Sequence, residues 1–182
     1  ALPICFFFDK RNKESFDSAE ANFKHALELD PNYALAYAGL ADCYCYNQKG
    51  LTQIEAIPVA KVYAAKALSL DSNLSEELTT MSFIEAAYDY NWPAAKSHLE
   101  KAITLNPNYP LAHLYLGNLL QYSGENTAFG IAEIKKALSL DPLSSVINSV
   151  LGRNYFLAKK NDSAYNQLKK SLFLDPGNMQ AK

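Results

Sequence analysis

The sequence predicts an all-α fold, a solenoid of stacked antiparallel helix pairs, and three observations predict it. The first is a phrase written twice: HALELDPNYALAYAGLADCY at residues 25–44 and KALSLDPLSSVINSVLGRNY at residues 136–155. Each opens with apolar residues three and four apart, which is helix spacing. Each then meets Asp-Pro, where proline cannot continue the helix and biases its predecessor away from helical angles. A second helical pattern starts at once. The second observation is the period: the stops at Pro31, Ser72, Pro107, Pro142 and Pro176 lie 41, 35, 35 and 34 residues apart. The third is size alternation. Ala41, Gly117 and Gly152 are small enough to let two helices approach, and Phe23, Leu99 and Leu168 are large enough to fill the neighbouring gap. One helix pair cannot bury both its faces, so successive pairs stack and share a core.

The elements follow in order as a single array over residues 1–182, with units near 1–32, 33–74, 75–108, 109–143 and 144–178, and a further helix starting at 179–182. Phe16 to Leu29 reads as the second helix of the first pair, which leaves ALPICFFFDKR as the remains of its first helix. In the second unit Tyr37, Leu40, Ala41 and Tyr44 mark one helix and Ala60, Ala64 and Ala67 the other. Seven extra residues lie between them, around NQKGLTQIEAIP. Thr52-x-x-Glu55 has capping-box spacing, so the insertion is expected to hold an extra helical turn before a restart at Pro58. The fourth unit carries Leu116, Gly117 and Leu120, then Gly130, Ile134, Ala137 and Pro142. The fifth carries Leu151, Gly152 and Tyr155, then Ala164, Leu168, Ser171 and Pro176. The start, with Phe6, Phe7 and Phe8, lacks the polar outer face of a terminal repeat, and NMQAK follows Pro176 where another first helix would begin. Both ends are therefore expected to be cut from a longer protein, and uncapped ends leave self-association open.

Composition removes several classes of function. The formal net charge is -2, and the lysine pairs (Lys135/Lys136, Lys159/Lys160, Lys169/Lys170) sit in helical patterns as solvated faces. No clustered positive surface points to nucleic acid. The three cysteines, Cys5, Cys43 and Cys45, form no disulfide framework, so a reducing, cytoplasmic setting is expected. No apolar run is long enough for a membrane span. His25, His98 and His113 fall in different helices without ligand spacing, and phosphate-cradle and nucleophile-elbow motifs are absent. Carboxylates lie at helix ends and helix starts, where solvation or capping explains them. We therefore expect no enzyme, no metal and no cofactor.

A period near 34 built of two helices, with NSVLGRNY in the last unit placing Leu151, Gly152 and Tyr155, resembles the tetratricopeptide repeat. The resemblance covers the whole chain and implies a right-handed superhelix of about four and a half repeats. Against the family pattern, Glu85 stands where an aromatic is usual and His113 where the first aromatic should be. The resemblance also implies a concave groove lined by the first helix of each pair. Its residues here would be Leu35, Ala38, Asp42, Cys45 and Tyr46; Thr79, Phe83 and Ala87; Leu111, Leu114, Asn118, Gln121 and Tyr122; and Val146, Ser149, Arg153, Phe156 and Leu157. Asp42, Phe83, Asn118 and Arg153 share the ninth place and are expected along the groove floor. The carboxylate clamp by which some members hold chaperone tails is disfavoured, because Leu114 and Val150 replace its ligands. The long second unit and YDYNWPAAKSHLEKAITLNPNY are similar to arrays that follow winged-helix, Ser/Thr kinase or nucleotide cyclase domains in bacterial regulators. The implied function is a protein–protein interaction module that takes a partner's peptide or helix in the groove. The other function left open is a ligand- or partner-sensing regulatory segment of a multidomain signalling protein.

Overall fold

The computed structural model describes residues 13–47, 51–178 and 181. Among these every regular element is a helix: α1 (Lys13–Leu29), α2 (Ala34–Asn47), α3 (Gln53–Leu70), α4 (Ser75–Ala87), α5 (Trp92–Leu105), α6 (Pro110–Ser123), α7 (Thr127–Leu140), α8 (Ser145–Leu157) and α9 (Asn161–Leu174). The all-α pattern of consecutive antiparallel pairs is the expected one. The first helix of the first pair, Cys5 and most of the further helix expected at 179–182 lie outside the described residues. Two compact units, residues 1–98 and 99–182, divide within α5.

In the first unit α2 packs against both α1 and α3, and α4 packs against both α2 and α3. Small residues set the spacing. The Phe23 ring lies over Gly39 so closely that a Cβ there would stand 2.3 Å from it. Ala41 and Ala64 meet without exposed surface and pack with Met81. In the second unit Leu114, Ile131, Ile134, Ala137, Ile147, Val150 and Leu151 form one core shared by α6, α7 and α8. The small-against-large pairing read from the sequence recurs there, with Gly117 against Ile134 and Gly152 against Leu168.

The stops between pairs owe as much to the residue before the proline as to the proline. Asp30, Asp71 and Asp175 each accept the backbone N–H two residues on at 2.9 Å, and Asn106 does so at 3.2 Å. Such a turn offers the backbone an alternative to continuing the helix. This explains why Ser72 can stand where the other stops have proline.

The insertion corrects one expectation. No restart occurs at Pro58; α3 begins at Gln53 and runs through it. Thr52 donates both its N–H and its Oγ–H to Glu55 Oε2, at 2.9 and 2.8 Å. These bonds hold the Glu55 carboxyl below its usual range. With the start fixed and Ala56 and Ile57 buried, the added turn is part of the same helix. Proline removes one backbone bond, to Ile54, and both Ile54 and Pro58 stand on the exposed side of the helix.

The departure at His113 is a substitution that keeps the contact. Tyr37 donates to the Pro31 carbonyl, Asn148 to the Pro142 carbonyl, and His113 Nε2 lies 2.9 Å from the Pro107 carbonyl. In each case the fourth residue of the helix ties back to the stop six residues earlier. The other nitrogen, His113 Nδ1, lies 2.6 Å from Glu133 Oε2 on α7. Both ring nitrogens thus face oxygen atoms, one on each side of the α6–α7 contact. Glu85, the second departure, is likewise paired, with His98 Nδ1 at 2.8 Å. We expect His113→Phe to cost about 1–3 kcal/mol in urea unfolding, because it removes the ring from the Pro107 carbonyl and leaves the mostly buried Glu133 carboxylate without that partner. His113→Tyr, the residue of the same place in α2, should lose less. Equal stability of all three would refute the assignment.

Candidate functional site

The first helix of each pair (α2, α4, α6, α8; the A helices) presents one stripe, and its places differ sharply in exposure. The fifth place, Ala38, Thr79, Leu114 and Ser149, is 1% exposed in every pair. Thr79 and Ser149 return their hydroxyls to their own helix, at Ser75 O (2.8 Å) and Val146 O (2.8 Å). Leu114 belongs to the core of the second unit, against which Leu111 and Val146 also pack. These residues have no surface to offer a partner, which corrects the expectation for Ala38, Thr79, Leu114 and Ser149. Of the second place, Leu35 is 40% exposed.

In the first unit the ninth place is also closed. Asp42 is buried, as is Cys45. Asp42 accepts from Thr80 Oγ1 at 2.6 Å. Burial, with the charge of Glu76 added, pushes its carboxyl up to about 7 despite that bond. Beside it Glu77 is 1% exposed and neither carboxylate oxygen has a hydrogen-bond partner. Burial, then Asp42 and then Glu76, raise its pKa well above the ordinary range. The same burial raises the thiols of Cys43, to about 12, and of Cys45. Tyr46, Phe83 and Tyr88 stack in a chain with centroids 5.6 and 6.0 Å apart over Cys45, Ile57, Ala60 and Ile84. Phe83 is thereby committed to packing, while Ala87 is exposed.

The second unit differs. Arg153 on α8 reaches back to α6, where Nη2 donates to Asn118 Oδ1 at 3.3 Å. Its guanidinium lies over the Tyr122 ring, 5.6 Å from the centroid. Asn154 Nδ2 donates to the same Asn118 oxygen at 3.3 Å and to the Val150 carbonyl at 2.8 Å. Asn118 therefore fixes two neighbours on the next A helix. Around this cluster Tyr122, Phe156 and Leu157 are 58%, 64% and 51% exposed. Of the residues the sequence singled out, Asn118, Tyr122 and Arg153 meet here, and Phe156 and Leu157 are exposed one turn further along α8. The sequence missed Asn154, and in the first unit Thr80 and Glu77. Glu77 had a signal: the same third place holds Ala36, Ala112 and Ile147 in the other pairs, all buried.

Among the described residues no group of three or more His, Cys, Asp or Glu side chains is placed to hold a metal ion. No described helix is long and apolar enough to cross a membrane. In the second unit the described A-helix residues place Arg153 among the exposed Tyr122, Phe156 and Leu157.

Comparison with solved structures settles the fold. TTC0263 of Thermus thermophilus, described as a thermophilic TPR protein, superposes with a TM-score of 0.72 at 22% identity, over 91% of this chain and 86% of that one. The fold is that of the tetratricopeptide repeat. YrrB, a tetratricopeptide-repeat protein described as having an unusual peptide-binding site, superposes with a TM-score of 0.59 at 23% identity, covering 92% of this chain and 82% of that one. The human Tetratricopeptide repeat protein 6 is 29% identical over 143 residues, 76% of this chain. The chain spans a quarter of the length of that relative. No protein-family model matches the chain.

Proposed function

We propose that this tetratricopeptide-repeat segment is a protein–protein interaction module whose A-helix face between α6 and α8 takes a peptide or helix of a partner. The observation that carries the proposal is the cluster of Tyr122, Phe156 and Leu157, more than half exposed, around an arginine that is already ordered. Large rings and an arginine held in place supply much of the energy of protein interfaces, because little side-chain entropy is left to lose. YrrB, of the same fold, is described as having a peptide-binding site, which supports this use of the scaffold. The exposed set is confined to the twelfth and thirteenth places of α6 and α8, with the ninth-place Asn118–Arg153 bond as its floor. In a longer regulatory protein, occupation of this face would be the sensed event.

The test uses peptides selected from a random display library against the chain, with affinity measured for variants confirmed to fold by their melting curves. Tyr122→Ala combined with Phe156→Ala should weaken the selected peptides at least about tenfold. Tyr165→Ala, an exposed ring on α9, should leave them unchanged. The reverse pattern would place binding on the opposite helices and overturn the proposal.

A further inference from the structure

Arg153 is the one arginine among the described residues; the other cations there are lysines and histidines. Arginine differs from lysine in offering a planar fork that suits a carboxylate. Yet its partners in the structure are a neutral amide oxygen and a ring face. Its Nε is buried without an acceptor. Three residues after Asn118 on α6, Gln121 Oε1 is also buried without a donor. The side chain is thus held by Asn118 and Tyr122, half-buried, with its charge uncompensated. A cation drawn partly out of water is stabilised by an anion more than by neutral acceptors.

We infer that the segment recognised on the α6/α8 face carries a carboxylate, which Arg153 binds, next to an apolar side chain that packs on Tyr122 and Phe156. The inference rests on the peptide-binding reading above and narrows it to an acidic, apolar-flanked segment. Asn118 is a positioning residue: its Oδ1 holds one arm of the guanidinium beside the Tyr122 ring before the partner arrives. A single arginine suits one carboxylate better than a phosphate dianion, which draws on several cations.

A carboxylate can come from an Asp or Glu side chain or from a chain terminus, and two display-derived peptide sets separate them, one C-terminally amidated and one with a free terminus. Peptides selected on the chain should be enriched in Asp or Glu beside Leu, Phe or Tyr if a side chain is read. They should bind only with a free terminus if the end is read. Arg153→Gln should weaken these peptides about tenfold to a hundredfold, the loss expected for a charge-assisted bond. Arg153→Lys should recover part of that loss, and rising salt should weaken the parent more than Arg153→Gln. Peptides without a carboxylate that bind equally to the parent and to Arg153→Gln, but lose affinity with Tyr122→Ala, would overturn this inference and leave the groove standing. Peptides indifferent to Tyr122→Ala and Phe156→Ala would overturn both.

Discussion

Asp42→Asn and Glu77→Gln should each stabilise the protein at about pH 8 and change little at about pH 4.5. Both acids sit in the contact of α2 with α4, and neither is compensated by a cation. Asp42 has Thr80 Oγ1 at 2.6 Å; Glu77 has no hydrogen-bond partner on either oxygen. Burial favours the protonated form, so Asp42 titrates near 7 in the folded chain against 3.8 when exposed. The folded state therefore holds a proton that the unfolded state has released across that window. Stability follows the difference in bound protons, so it falls as pH rises from about 4 to about 7 and levels off above. At about 1.4 kcal/mol per pH unit, the Asp42 displacement caps the loss at about 4 kcal/mol. Glu77, raised by burial, then Asp42 and then Glu76, adds to the fall in the same direction. Glu55, held below its ordinary range, acts in the opposite direction on the parent and the variants alike. The neutral amide that Asp42→Asn introduces can still accept from Thr80, so the variant removes charge and not the bond. The measurement is the urea midpoint at about pH 4.5, 6 and 8. The parent should weaken across the series and both variants should flatten it; parallel curves for all three would show that the acids are solvated.

That acid pair also marks where sequence reasoning stopped. Helical periodicity, the repeated stop and the glycines located every described pair, because those features act within about forty residues and through backbone geometry. The stop itself was tracked by proline, although the shared agent is the side chain of Asp30, Asp71, Asn106 or Asp175 bonding two residues on. Glu77 was out of reach by the usual rule: a carboxylate in the first turn of a helix is ordinarily solvated or capping. Here the third place of the A helix is inward in every pair, and only a comparison of Ala36, Glu77, Ala112 and Ile147 down the repeats exposes the exception. The groove was half legible for a related reason. The ninth place in α6 and α8 does bring Asn118 to Arg153. The fifth place, taken from the family pattern, is covered: Leu114 shares a core with Ile147 and Val150, and Thr79 and Ser149 are buried with their hydroxyls bonded back to their own helices. At Pro58 the capping box of Thr52 and Glu55 was legible, but not that the helix begun at Gln53 continues through the proline.

Gly117→Ala should destabilise the second unit although it adds one methyl group to a helix. In an open helix the change would be favourable by about 1 kcal/mol, since glycine is the poorer helix former. Here α6 and α7 cross at Gly117 and Gly130. A Cβ on Gly117 would stand 2.6 Å from the Gly130 carbonyl oxygen and 2.5 Å from Ile134 Cγ1. The reciprocal Cβ on Gly130 would stand 2.7 Å from the Gly117 carbonyl oxygen. Backbone oxygen cannot rotate away, so the two helices must part, and overpacking of this kind costs about 1–3 kcal/mol or more. The clash therefore outweighs the propensity. At Gly152 the nearest atoms are Leu168 Cγ and Cδ2, at 2.7 and 2.8 Å, with backbone nitrogen further off at 3.2 Å. A side chain can yield, so Gly152→Ala should be close to neutral, whereas Gly152→Leu exceeds what Leu168 can vacate and should cost about 1–3 kcal/mol. Gly124→Ala has open space around its Cβ but a φ of 71°, so its loss of about 1 kcal/mol comes from backbone strain alone. Urea midpoints of the four variants give the order: Gly117→Ala and Gly152→Leu lowest, Gly124→Ala between, Gly152→Ala nearest the parent. Gly117→Ala as stable as the parent would mean that α6 and α7 are further apart than the structure places them, and the crossing would lose its claim to set the repeat.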